Sequence, residues 1–179
     1  MDQVKPRVAT VWLGGCSGCH MSLLDMDERL IALASRMDLV YGPLLDVKEF
    51  PGDVDVTLVE GAVANEDHLA QIRKVRARTT LLAVFGDCAV SGNVTALRNV
   101  FDGADSVLTR VYGDGGPGRR AALDPAVPRL LDRVLPVHQV VDVDLFLPGC
   151  PPSADLIHYV LSELLDGRSP DLAGRLRFG

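Results

Sequence analysis

Cysteine occurs only four times in this 179-residue chain, and those positions constrain the fold more than any other feature. Cys16 and Cys19 form a close Cys-Ser-Gly-Cys pair, whereas Cys88 and Cys150 stand alone far along the chain. All lie beside glycine or proline: Gly14-Gly15 and Gly18 around the pair, Gly86 before Cys88, and Gly149 and Pro151-Pro152 around Cys150. Such a set suits one four-thiolate metal site gathered from three loops, because soft thiolates stabilise iron and each iron of a four-iron cluster takes one of them. A structural zinc site also takes four cysteines, but it usually builds from two close pairs and only one is present. A thioredoxin-like pair would account for Cys16 and Cys19 while leaving Cys88 and Cys150 without a role.

The surrounding pattern places those loops. Val8–Leu13 is a short apolar run stopped by Gly14-Gly15 and reads as a buried strand. Apolar residues at helical spacing predict a helix from Ser22 to Met37. Val54–Val59 and Leu81–Phe85 read as further strands, with a charged amphipathic helix over Glu66–Arg78 between them. Val140–Leu147 reads as a last strand, followed by a helix that Ser153 caps and Gly167 ends. Alternating strands and helices predict an α/β chain with a mainly parallel sheet covered on both faces. All three cysteine loops then follow strands, on the edge where open α/β sheets collect ligands. The segment from Asp102 to Arg120, rich in glycine, reads as a surface loop or partner contact. Without internal repeats, residues 1–179 read as one domain with 47% hydrophobic residues to fill its core.

Charge and composition exclude several classes. A net charge of −6 and 5% aromatic residues provide neither the basic face nor the stacking platforms of a nucleic-acid binder. No stretch has the apolar length of a membrane span, and the first residues lack a signal-peptide pattern, so a cytoplasmic, thiol-reducing setting is expected.

Two residues near the loops carry open readings. Glu60 ends an apolar strand, where a carboxylate is costly unless hydrogen-bonded; it either satisfies loop amides or carries protons toward a partner's metal site. His20 is a metal-site neighbour or simply a helix-start residue. The other histidines, His68, His138 and His158, read as surface or helix residues. Ser91-Gly92-Asn93 reads as a turn that caps the next helix. The glycines of the first loop match neither the Walker nor the Rossmann phosphate pattern.

Taken together, Trp12-Leu13-Gly14-Gly15-Cys16-Ser17-Gly18-Cys19-His20-Met21-Ser22, Val59-Glu60-Gly61-Ala62-Val63, Phe85-Gly86-Asp87-Cys88-Ala89, Asn93-Val94-Thr95-Ala96-Leu97-Arg98 and Pro148-Gly149-Cys150-Pro151-Pro152 resemble the small subunit of NAD-reducing, bidirectional [NiFe] hydrogenases. The resemblance spans nearly the whole chain. It implies a flavodoxin-like three-layer sandwich in which Cys16, Cys19, Cys88 and Cys150 ligate the proximal [4Fe-4S] cluster. It also implies a partner large subunit holding the Ni-Fe site and a diaphorase module with flavin and further clusters, so that the chain is inactive alone. An FMN near this subunit is a further implication, although the flavodoxin phosphate loop is replaced here by the cysteine loop. The nearest alternatives are the small subunits of F420-reducing and sulfhydrogenase-type enzymes, many of which carry extra cluster segments. A zinc-stabilised docking scaffold is the non-enzyme alternative.

Overall fold

Parallel order dominates the computed structural model, which describes residues 4–113, 115–118 and 124–178. Five strands, β1 (Arg7–Trp12), β2 (Asp38–Tyr41), β3 (Val54–Glu60), β5 (Thr79–Phe85) and β7 (Leu145–Leu147), form a sheet in the order β2-β1-β3-β5-β7 with every pairing parallel. Two short strands, β4 (Val63–Asn65) and β6 (Leu130–Leu135), make a separate antiparallel pair. Counting only the five main strands, the sequence reverses direction between β1 and β3, as in the flavodoxin-like order. Right-handed crossovers leaving in opposite directions must place their helices on opposite faces of the sheet.

Helices α1 (Gly18–Leu24), α2 (Glu28–Ala34) and α6 (Ala154–Leu165) cover one face, where Leu23, Met26, Leu33, Ile157 and Leu161 pack on Val8, Val56, Leu58, Phe85 and Leu147. Helix α3 (Glu66–Ala77) covers the other, setting Ile72 and Val75 against Ala9, Val11, Val59, Leu82 and Val84. The central strands are buried on both faces, which explains why β3 and β5 read as near-continuous apolar runs. Thr57 and Thr79, buried among them, satisfy each other through a 2.8 Å hydroxyl contact. No helix is long and apolar enough to cross a membrane among the described residues.

Several expectations change. The helix expected over Ser22–Met37 is two helices, because the chain breaks after Leu24 and Asp27 takes a positive φ of 51°. Its first helix starts four residues before Ser22, immediately inside the cysteine pair. The strand expected over Val140–Leu147 is only Leu145–Leu147. Before it, the Asp144 amide donates to the Leu82 carbonyl while the Asp144 carboxylate receives the Leu82 amide, so a side chain stands in for a ladder acceptor. Much of the expected loop from Asp102 to Arg120 is helix α5 (Gly103–Tyr112), bracketed by Gly103 and Gly113 at φ 76° and 69°. Residues 114, 119 and 120 of that expectation lie outside the described residues. Between α4 (Asp87–Ser91) and α5 runs a 3₁₀ helix, Asn93–Val100. The turn expected at Ser91-Gly92-Asn93 forms, with Gly92 at φ 90°, but no side chain caps the 3₁₀ helix. Ser153 does cap α6, accepting from the Leu156 amide, and Gly167 comes after that helix at φ 71°.

One clasp fastens α3 to the sheet edge. Arg76 donates to the Asp144 carboxylate at 2.6 Å and to the carbonyls of Thr79 and Thr80 at 2.6 and 2.9 Å. Partial burial pushes the Asp144 carboxyl up, but the Leu82 amide and Arg76 guanidinium outweigh it and hold it below the usual carboxylate range. A depressed folded-state value adds stability above about pH 4, the unfolded range, and that contribution disappears as pH falls through the folded value. Asp144→Ala is therefore expected to cost about 1–2 kcal/mol at neutral pH, at the modest end because the carboxylate is part-exposed. Urea unfolding from pH 7 to pH 3 checks this: the gap between variant and parent should narrow on the acid side.

Candidate metal centre

The carboxyl ends of β1, β3, β5 and β7 lie side by side, and Trp12 pairs with Glu60 while Phe85 pairs with Leu147. The loops leaving β1, β5 and β7 carry the cysteines, as the sequence predicts. The loop leaving β3 buttresses the first of them. Leu13 donates its amide to the Glu60 carbonyl at 2.8 Å, and Gly14 exchanges two backbone hydrogen bonds with Ala62, at 2.9 and 2.8 Å. Gly61 sits between them at φ 88°, and a Cβ there would lie 2.9 Å from the Gly14 carbonyl. Only glycine allows this close approach.

The first loop then enters α1. Ser17 precedes the helix at φ 67° and makes no side-chain cap bond. Glu60 fills that role from the neighbouring strand: its Oε2 accepts from the His20 amide at 2.9 Å, its Oε1 faces the Cys19 amide at 3.4 Å, and Oε2 meets His20 Nδ1 in a short contact. Both side chains are buried. The His20 ring stands edge-on to Phe85 with centroids 5.2 Å apart, and its Nε2 is buried with no partner among the described residues. Of the two readings of Glu60, the amide-satisfying one is therefore visible in the contacts. His68 is half-buried near this loop, where its Nδ1 accepts from the Ala64 amide, and burial lowers its pKa.

The second and third loops are interlocked. Gly86 donates to the Leu147 carbonyl at 2.9 Å and Asp87 donates its amide to the Gly149 carbonyl at 2.9 Å. The Gly149 amide returns a bond to Asp87 Oδ1 at 2.6 Å. Ser22 of α1 donates its hydroxyl to the Pro152 carbonyl at 2.6 Å, joining the third loop to the first. Sequence patterns alone assign no role to Asp87 or Ser22. A signal for Asp87 is nevertheless present, since it is a carboxylate at the end of an apolar strand, as Glu60 is.

These ties bring the cysteines together. Cys19 and Cys88 are buried, Cys16 and Cys150 exposed. The Cys19 sulfur lies against the Gly86 backbone, only 2.1 Å from where a Cβ on Gly86 would stand. Gly18 donates its amide toward Cys16 Sγ at 3.4 Å. Burial, then the charge of Glu60 and of the other three cysteines, pushes the Cys19 thiol far up. Burial and the charges of Cys16 and Cys150 also push Cys88 up, against hydrogen bonds from Thr95. Cys19 and Cys88 thus feel the charge of neighbouring cysteines, and ionising these two buried thiols is unfavourable without a compensating cation. Among the described residues, no three His, Cys, Asp or Glu side chains are gathered as a single ion would require. A cubane takes one thiolate at each of four separate irons, so it suits a more open set of sulfurs than one tetrahedral ion does. The donor set, four cysteines on three loops at the carboxyl ends of one sheet's strands, fits an iron-sulfur cluster.

Comparison with known proteins bears on the family and the fold. The family described as NADH ubiquinone oxidoreductase, 20 Kd subunit, matches residues 16–164. The chain is 41% identical over 173 residues to the NAD-reducing hydrogenase HoxS subunit delta of Cupriavidus necator, covering 94% of this chain and 82% of that one. It is 37% identical to a subunit of the F420-non-reducing hydrogenase vhu of Methanococcus voltae, spanning 96% of this chain but 60% of that longer relative. Among solved structures, a chain of an NAD+-reducing [NiFe]-hydrogenase in the H2-reduced state superposes with a TM-score of 0.91 at 41% identity, covering 98% of this chain and 99% of its own. A Ni-Fe-Se hydrogenase chain from Desulfomicrobium baculatum shares the fold at a TM-score of 0.57 and 17% identity, covering 89% of this chain and 62% of its own.

The Gly86 cradle generates a direct test. Gly86→Ala adds a methyl group in contact with Cys19 Sγ at a φ of 92°, so it combines backbone strain with overpacking and is expected to cost about 2–5 kcal/mol. Gly167→Ala, at φ 71° with open space around it, is the control and should lose only about 1 kcal/mol. Thermal unfolding of the two variants against the parent distinguishes them, and equal losses would contradict the packing described.

Proposed function

We propose, from the premise that this chain belongs to the NADH ubiquinone oxidoreductase 20 Kd subunit family, that it is the electron-transfer small subunit of an NAD-reducing [NiFe] hydrogenase. The observation that carries the reading is the convergence of Cys16, Cys19, Cys88 and Cys150 at the carboxyl ends of β1, β5 and β7 of one parallel sheet, in a chain that matches an NAD+-reducing hydrogenase subunit along its length. The chain pairs with a hydrogenase large subunit; a flavin-bearing diaphorase module is the proposed acceptor on the other side. The whole of residues 1–179 is read as one iron-sulfur unit, working in the cytoplasm where thiols stay reduced.

The four cysteines are the proposed ligands of one [4Fe-4S] cluster, which when bound accepts and passes on single electrons. Everything else falls to side chains and backbone of this chain. Gly14, Gly61 and Ala62 fix the first loop against its neighbour. Glu60 holds the amides of Cys19 and His20, so both first-loop cysteines project from a fixed backbone. The Thr95 hydroxyl donates to the Gly92 carbonyl at 2.5 Å and so fixes the turn that follows α4, the helix that carries Cys88. The burial that raises the Cys19 and Cys88 thiols also keeps water from the inner half of the site. A proton-carrying role for Glu60 rests on the hydrogen-bonding contact of its Oε2 with His20 Nδ1.

FMN forms no part of this reading. A flavin phosphate after β1 would need free amides, and the amides of Gly18, Cys19 and His20 are directed to Cys16 Sγ and Glu60. A zinc scaffold is disfavoured by the absence, among the described residues, of a tight three-ligand group.

Cys88→Ala tests the proposal in the anaerobically purified complex. Hydrogen-dependent NAD reduction should fall to background while NADH-dependent dye reduction by the diaphorase module persists. Full hydrogen-dependent activity with a complete metal content would overturn it.

A further inference from the structure

We propose that Asp87 is the positioning residue that sets Cys150 against Cys88 and so completes the fourth corner of the site. The inference rests on the cluster reading given above and goes beyond it by assigning the third loop's geometry to one side chain.

The third loop has little strand pairing to position it. Strand β7 is only three residues long, lies at the sheet edge and pairs with β5 alone, and its register ends at Phe85 against Leu147. Cys150 is three residues farther on and exposed. Between the ladder and Cys150 stands Gly149, whose φ of 140° excludes other residues and whose Cβ position would collide with Pro152 at 2.6 Å. Both polar groups of Gly149 are committed to Asp87: its carbonyl accepts from the Asp87 amide and its amide donates to Asp87 Oδ1. Asp87 is itself buried at 4% exposure and directly precedes Cys88. One residue therefore ties the loop of one cysteine to the loop of another through two hydrogen bonds. Ser22 on Pro152 adds a separate tie beyond Cys150.

Without the Asp87 side chain the Gly149 amide stays buried with no acceptor, and the loop relieves that by shifting its peptide. The backbone bonds that hold the other two loops, Gly14 with Ala62 and the Gly86 amide on the Leu147 carbonyl, do not involve the Asp87 side chain. The expected defect is thus local: three corners keep their ligands and the Cys150 corner becomes labile. This differs from a general loss of packing, which would release the whole metal content together.

The test uses the full-length chain, purified anaerobically and loaded with ferrous iron and sulfide. Asp87→Ala, after mild oxidation, is expected to show the electron paramagnetic resonance signal of a three-iron cluster, matching Cys150→Ala. Its iron should be about 10- to 100-fold easier to remove with a chelator than the parent's. Asp87→Asn keeps an oxygen facing the Gly149 amide and should retain the parent spectrum. Asp87→Ser is too short to reach that amide and should behave as Asp87→Ala does, which keeps the test decisive where the alanine variant does not fold. A parent-level four-iron spectrum in a folded Ala or Ser variant, or loss of the fourth iron in Asp87→Asn, overturns the proposal. A parent chain that takes up no iron would instead count against the cluster reading itself.

Discussion

The contact between the Cys19 sulfur and the bare backbone of Gly86 is the constraint on which the rest of the site depends. It exists because two strands that are not neighbours in sequence both end at the same edge of a parallel sheet, and because the second loop begins with a residue lacking a Cβ. A sulfur resting on a peptide is held by packing rather than by bonding, so it stays where the loops put it. The fold supplies the loops, and glycine supplies the room.

That placement is costly unless it is compensated. The two buried thiols, Cys19 and Cys88, resist ionisation, and the Glu60 carboxylate beside Cys19 adds to that resistance. The chain keeps the carboxylate because its oxygens satisfy amides at the start of α1 that would otherwise be unpaired. A polycationic iron-sulfur core reverses the balance, since each thiolate then faces positive charge. The same arrangement that disfavours free thiolates therefore favours a bound cluster. Buried loops around a metal centre also limit reorganisation on electron transfer, which suits a relay rather than a reactive site.

Much of this is legible in the sequence. The strands β1, β3 and β5 are visible because parallel strands buried on both faces must be apolar throughout, and the cysteines announce themselves by coming shortly after β1, β5 and the run that ends at Leu147. The resemblance to hydrogenase small subunits agrees with the comparisons, and the flavodoxin-like strand order is the one the structure shows. Other parts are hidden for identifiable reasons. The break between α1 and α2 leaves the apolar spacing intact, so periodicity alone runs through it. The segment from Val140 to Asp144 alternates like a strand, but its aspartates serve as acceptors for Arg76 and Leu82 instead of lining a face. The 3₁₀ helix from Asn93 repeats every three residues, and its apolar residues Val94, Leu97 and Val100 follow that spacing but stay exposed, so they mark no core-facing α-helical stripe. Asp87 escapes a sequence reading because its partner, the Gly149 amide, is a backbone group far along the chain.

The central claim is that three turns place four sulfurs around a single cubane. Mössbauer spectroscopy of the anaerobically prepared, iron-enriched chain tests it most directly when combined with metal and sulfide analysis of the same sample. The expected result is one valence-delocalised four-iron cluster per chain, all irons in tetrahedral sulfur coordination, with matching labile sulfide. A stoichiometric zinc ion without labile sulfide, or iron in isolated mononuclear sites, would contradict it.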